Sequence, residues 1–152
     1  MLSLSSLEYL LGPLGISILL GLSACGSCTG MGLCGCSSIL YADKGRIITY
    51  SYVSMIMIST IFFYAFILAI LVINKLTDKY SLITAIWDLT ACTIFGGVGY
   101  SAGISMGNIA KNSFSCIVKT DDFFISFMIA FASVEVTIIL AFLASIRIIY
   151  YY

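Results

Sequence analysis

The sequence predicts an all-α membrane protein of four transmembrane helices, set out as two tandem helical hairpins. Three observations predict it. Of the 152 residues, 61% are hydrophobic and only 9% are charged, whereas a soluble domain carries about 25% charged residues. The charges gather in three short polar turns and leave four long apolar stretches between them. Those stretches alternate in texture, small then large then small then large. No room remains for a separate soluble domain. The net charge is zero, so nothing suggests a nucleic-acid or acidic-substrate partner. Histidine is absent, which excludes an enzyme that relies on histidine chemistry.

The elements follow in order. Residues 9–42 carry no charge. At a rise of about 1.5 Å per residue they would extend roughly 50 Å, so this span must tilt or project beyond the hydrocarbon. The N-terminus lacks a basic region and its first charge is Glu8. It therefore reads as the start of the first span and not as a signal peptide. Asp43, Lys44 and Arg46 form the first turn, and the second span covers about residues 47–74. Lys75, Asp78 and Lys79 form the second turn. The third span, about 80–111, holds Asp88. Lys111, Lys119, Asp121 and Asp122 mark the third turn. The last span, about 123–149, holds Glu135 and, near its end, Arg147. About 20 residues cross a bilayer, so each stretch suffices. The first hairpin is 1–76 and the second 77–152.

The first and third spans are rich in small residues, GLSACGSCTGMGLCGCSS and FGGVGYSAGISMG. Gly26 and Gly30, Gly99 and Gly103, and Gly103 and Gly107 stand four apart, on one helical face. That spacing lets backbones approach closely in lipid. The second and fourth spans are bulky, VSMIMISTIFFYAFILAILVI and FFISFMIAFASVEVTIILAFL. The alternation reads as a duplicated hairpin. Small-residue helices suit the inner circle of a closed ring of copies, with bulky helices facing lipid. An ordinary compact bundle with glycine contacts is the other reading. Cys25, Cys28, Cys34 and Cys36 form C-x2-C-x5-C-x-C, a spacing that would raise zinc in a soluble protein. Among Gly, Ser and Ala they read as small hydrophobes that let helices pack closely, and no metal site is expected.

Glu135 lies alone in the middle of the last apolar stretch. Placing an acidic group at a helix centre costs roughly 2.5–3.5 kcal/mol. Keeping it protonated at pH 7, from a reference pKa near 4.3, costs roughly 3.7 kcal/mol. The two costs nearly balance, so a modest change of surroundings tips the group between neutral and charged. A proton carrier requires that balance. The bland alternative is a polar residue tolerated at a helix contact. Asp88 is a possible second carboxylate, but it stands close to the turn ending at Tyr80, where an interfacial, water-reached position is expected.

The chain resembles the proteolipid, or c-type, family of V-type proton-translocating ATPases over about residues 10–149. The family's glycine-rich third helix, A-A-G-F-A-I-G-I, is matched by SAGISMGN, with Gly103 and Gly107 in register. Its fourth helix, I-F-A-E-V, is matched by FASVEV, with Glu135 on the essential carboxylate. Its second helix, V-V-M-A-G-I-I-A-I-Y-G-L-V, is matched by MIMISTIFFYAFI, with Met57 and Tyr64 in place. There are departures. Lys111 stands where the family has aspartate and Ser115 where it has arginine. KTDD replaces the Q-Q-P-R turn, Leu140 replaces a tyrosine, and Asp88 replaces a glutamine.

The resemblance implies a rotary role with no enzymatic activity of its own. Each copy carries one proton on Glu135, as part of a ring of like copies that can include paralogous proteolipid subunits. The ring turns in the lipid bilayer against a stator, subunit a, that bears an arginine, and it is joined to a central-stalk subunit d. No cofactor is implied; protons are the transported ion. Tyr64, Ser133, Ser59 and Thr60 are the possible hydrogen-bond partners of the neutral carboxyl, although back-bonding to their own helices is the simpler use of the three hydroxyls. Residues Gly26, Gly30, Gly99, Gly103 and Gly107 are the helix-packing glycines. A vacuolar or other acidic endomembrane follows, with lumenal termini. The charges themselves do not fix this orientation, because Lys44, Arg46, Lys111 and Lys119 oppose Lys75, Lys79 and Arg147. A sodium-coupled ring, a small four-helix proton-coupled exporter and a structural tetraspan protein are the alternatives. Short loops count against the last.

Overall fold

A computed structural model describes residues 4–76, 80–120 and 123–151, with side chains from residue 10 onward. The side chain of Glu8 and all of Asp78, Lys79, Asp121 and Asp122 lie outside the described residues, so the charges expected in the second and third turns are described only in part. Four helices make up the described chain: α1 (Leu4–Ile39), α2 (Gly45–Lys75), α3 (Leu82–Ile117) and α4 (Phe123–Tyr151). Each is long and apolar enough to cross a membrane, and no strand occurs among the described residues. Helices are the expected solution, because lipid offers no partner to an open backbone group. The α1–α2 turn is closed by main-chain bonds, Tyr41 N to Ser38 O at 3.1 Å and Lys44 N to Tyr41 O at 3.0 Å. Ser81 caps α3 by accepting from Thr84 N at 3.4 Å.

Helix α3 continues through Lys111 to Ile117, beyond the turn that the charges suggested. No glycine or proline interrupts residues 108–117, and Ser113, Phe114 and Ile117 are buried there. A lone lysine on the open side of a helix does not end it. Lys111 is exposed, with its charge away from the packed face.

The tightest contact joins α1 and α3, which run parallel. A Cβ built on Gly26 would lie 2.6 Å from Tyr100 Cα and 2.7 Å from Gly99 O. One built on Gly107 would lie 2.7 Å from Gly30 Cα, and those on Gly30 and Gly103 would run into the opposing backbone, Gly103 O and Gly26 O respectively. Backbone therefore meets backbone, and only glycine fits. The fifth predicted packing glycine, Gly99, faces side chains instead, with Ile61 Cγ2 at 3.1 Å and Ser23 Oγ at 3.2 Å. Around this seam the core is bulky, with Phe95, Phe114, Phe127, Phe131, Leu19, Ile58, Ile61 and Met106 fully buried.

Helix α4 packs mainly on α3, whereas α2 packs on both α1 and α3; α2 and α4 touch at few places. One of these is the stack of Tyr50 on Phe124, with centroids 4.2 Å apart. The open faces differ in their share of small and polar residues. On α2 and α4 they carry Tyr52, Ile56, Phe63, Phe66, Ile73, Ile125, Ile129, Val136, Leu140 and Leu143. On α1 and α3 small and polar residues such as Gly21, Cys25, Cys28, Thr29, Gly32, Gly97, Ser101 and Ser105 share the open face with Leu10, Leu14, Ile39, Ile83, Ile86, Ile94 and Tyr100. Of the four clustered cysteines only Cys34 packs in the interior, with its sulfur 3.6 Å from Ser51 Oγ. Cys25, Cys28 and Cys36 are exposed. Within the chain, close packing is thus seen for Cys34 alone among these four. Cys25, Cys28 and Cys36 lie at spacings of three and eight residues, which puts them on one side of α1 and away from the seam.

Gly30→Val should destabilise the detergent-solubilised chain by about 3 kcal/mol or more, at the upper end of overpacking costs, because rigid backbone cannot yield. Gly45→Ala, with nothing within 4 Å of the added carbon, should change stability by less than about 0.5 kcal/mol. Thermal midpoints of the two variants check the contrast.

Candidate functional site

Glu135 stands 12 residues into α4, about 18 Å from its start at 1.5 Å per residue. In a hydrocarbon layer of about 30 Å that is near mid-depth. Residues three, four and seven positions away share its side of the helix. Phe131 and Ile138 on that side are fully buried. Phe142 packs on Tyr64 of α2 at 5.1 Å between centroids and on Phe95 of α3 at 6.1 Å. Ala132 and Ile139, on the same side, and the adjacent Val136 are open. Glu135 is thus half-buried, at the rim where the packed face of α4 gives way to its open face. Among the described residues its carboxyl has no hydrogen-bond or ion-pair partner.

The residues named beside it use their polarity elsewhere. The hydroxyl of Ser133 donates to Ala130 O at 2.8 Å, that of Ser59 to Ile56 O at 2.7 Å and that of Thr60 to Met57 O at 2.6 Å. This is the back-bonding use of a hydroxyl inside a helix. Only lone pairs remain for another group. Tyr64, half-buried, brings its ring against Phe142, two turns beyond Glu135.

Asp88 departs from its expected water-reached position. It is 1% exposed, accepts a hydrogen bond from Tyr80 at 2.9 Å and lies 3.5 Å from the Lys75 ammonium. The reason is local: Tyr80, just before the start of α3, is itself buried and bonds Asp88, and Lys75 reaches that carboxylate from α2. The two carboxylates of the membrane interior therefore sit in opposite settings, one enclosed and paired, the other at a rim and unpaired.

Sequence reasoning missed a groove of about 410 Å³ between α3 and α4 at the same depth, lined by Val98, Ser101, Ala102, Ser105, Ser133, Val134 and Thr137. The signal was present as two Ser/Thr pairs four residues apart, Ser101 with Ser105 and Ser133 with Thr137. All four hydroxyls donate to carbonyls of their own helices. Ser133 and Thr137 each lie two residues from Glu135, so the groove opens on the other side of α4 from the carboxyl.

Residues 89–148, from α3 through most of α4, match the family described as the C subunit of ATP synthase. Glu135 lies inside the matched stretch. That family consists of ion-translocating rotor subunits that are not catalytic by themselves. No curated protein matches the chain.

Replacing Ser59, Thr60 or Ser133 by Ala should leave the rate at which a hydrophobic carbodiimide labels Glu135 within about twofold, as expected for changes below about 0.5 kcal/mol. Peptide mass spectrometry reads the rate. A tenfold change in any of the three would assign that hydroxyl to the carboxyl.

Proposed function

We propose that this chain is a rotor-ring subunit of an ion-translocating ATPase of the V type, and that it carries one proton at a time on Glu135. The single observation that supports the reading most is the unpartnered, half-buried carboxyl at mid-depth in α4, inside the stretch that matches the rotor-subunit family. The sorting of open faces supports it further. The open faces of α1 and α3 hold more small and polar groups, which are poor partners for lipid, while those of α2 and α4 are mostly bulky and apolar. A closed ring of copies, with α1 and α3 innermost, gives each face the surroundings it suits.

The cycle follows from the electrostatics of such a site. Facing lipid, Glu135 is neutral, because removal from water disfavours the charged form of a carboxyl. When rotation brings it beside a fixed arginine of the stator subunit a, attraction in a poorly screened medium favours the carboxylate, and the proton leaves. Further rotation carries the carboxylate to a second aqueous access, where it takes up a proton before meeting lipid again. Because the chain gives Glu135 no internal cation, the positive partner comes from outside, and the group can be switched by rotation alone. Coupling to the central stalk through subunit d, and residence in a vacuolar or other acidic endomembrane with the α1–α2 and α3–α4 turns on the cytosolic side, complete the proposal. Protons are preferred over sodium because, among the described residues, no set of oxygen ligands converges on Glu135: the hydroxyls of the α3–α4 groove lie on the other side of α4.

Two measurements test it. Native mass spectrometry of the protein extracted in mild detergent should give a closed oligomer of many copies, and a dimer would sink the ring. Glu135→Gln should assemble normally, lose carbodiimide labelling and abolish proton pumping in sealed vesicles. Pumping at more than about a tenth of the wild-type rate would remove Glu135 from the carrier role; an essential proton-transfer group is expected to carry at least about 10²-fold.

A further inference from the structure

Where α2 ends, α3 begins and α4 ends, the interior holds charge. Lys75, 27% exposed, reaches two other helices at once. Its ammonium lies 3.5 Å from Asp88 Oδ1 of α3 and donates to the main-chain oxygen of Ile149 in the last turn of α4. Asp88, 1% exposed, receives the Tyr80 hydroxyl on its other oxygen at 2.9 Å. Burial, reinforced by the hydrogen bond to Asp88, holds the Tyr80 phenol well above the usual tyrosine range. It therefore remains a donor at any physiological pH. Cys92, one turn further along α3, is also buried and faces Asp88. Beside this cluster Ser145 of α4 donates to Ala91 O of α3 at 3.2 Å.

The setting gives these contacts a task. Apolar helices in lipid have no hydrophobic force to fix how far one slides along another. α2 and α4 meet at few places, mostly through rings and aliphatic chains that tolerate sliding. A buried ion pair contributes little net stability, but its geometry allows one register and penalises others. The Ile149 carbonyl adds direction, since a cation at a helix C-terminus satisfies an orphan acceptor and complements the dipole. We infer that Lys75, Tyr80 and Asp88 form a clasp that fixes the lengthwise register of α4 against the first hairpin, and that all three are positioning residues for Glu135. The inference rests on the proposed carrier role of Glu135 for its consequence. The register itself can be read separately.

The experiment uses the full-length protein in its membrane. Lys75→Met strands the Asp88 carboxylate and should lower the assembled fraction at least about tenfold, since removing one partner of a buried pair is strongly unfavourable. The double variant Lys75→Met with Asp88→Asn leaves no stranded charge and should recover assembly. Register is read by thiol cross-linking of Tyr64→Cys with Phe142→Cys, whose native rings pack together. An intact clasp should give one cross-linked product. The double variant should lose more than half of it and shift the pH midpoint of Glu135 labelling. Full cross-linking in the double variant, or normal assembly of Lys75→Met, overturns the clasp. If Glu135 is not labelled in the wild-type protein, the carrier reading fails, while the cross-link still decides the register.

Discussion

The approach of α1 to α3 at Gly26, Gly30, Gly103 and Gly107 is the constraint on which the rest of the structure depends. There the backbones come so close that no β-carbon fits on either side. Lipid tails are as apolar as leucine, so a membrane helix pair is held by close packing and not by expulsion from water. Close packing needs a surface without side chains, and only these two helices present one. Once α1 and α3 are joined, the remaining positions are set by size. The bulky helices cannot enter the seam, so α4 lies against α3, and α2 lies across α1 and α3.

That arrangement decides what Glu135 experiences. Helix α4 buries one face, through Phe127, Phe131, Ile138, Ser145 and Ile149, and leaves the rest open. A residue at the centre of the buried face would be enclosed for good, and one on the opposite side would always face what surrounds the chain. At the rim, Glu135 has the packed face of α4 on one side and an open face on the other. The proposed rotor role needs the governing charge to arrive from outside, and a rim position is compatible with that.

Much of this is legible in the sequence for a simple reason. Helix number, span texture and glycine spacing depend on residues close together along the chain, and a bilayer leaves few alternatives to them. Glu135 is legible because a single carboxylate in an apolar stretch has no local explanation. What escapes depends on contacts between distant residues. Asp88 reads as interfacial by its distance from a turn, but Tyr80 covers it and Lys75 reaches it from another helix. Lys111 reads as the edge of a loop because charge usually marks a boundary, whereas one exposed lysine coexists with further turns of helix as far as Ile117. Cys25, Cys28 and Cys36 read as packing groups because they are small, yet smallness does not say which side of α1 they occupy.

The two interior carboxylates show how partners, more than depth, assign a role. Asp88 has a cation and a phenol within reach, fixed by the same chain. Changing its protonation would abandon an ion pair that no movement of the surroundings restores, so it suits a structural task. Glu135 has no such commitment, and its two states differ in energy by whatever the exterior provides. A lipid exterior favours the acid and a fixed cation favours the carboxylate, so alternating exposure to the two changes the number of bound protons without rearranging the fold. On the proposed reading, a lysine on α2 or α3 opposite Glu135, like Lys75 opposite Asp88, would turn the same residue at the same depth into a fixed ion pair and remove the exchange.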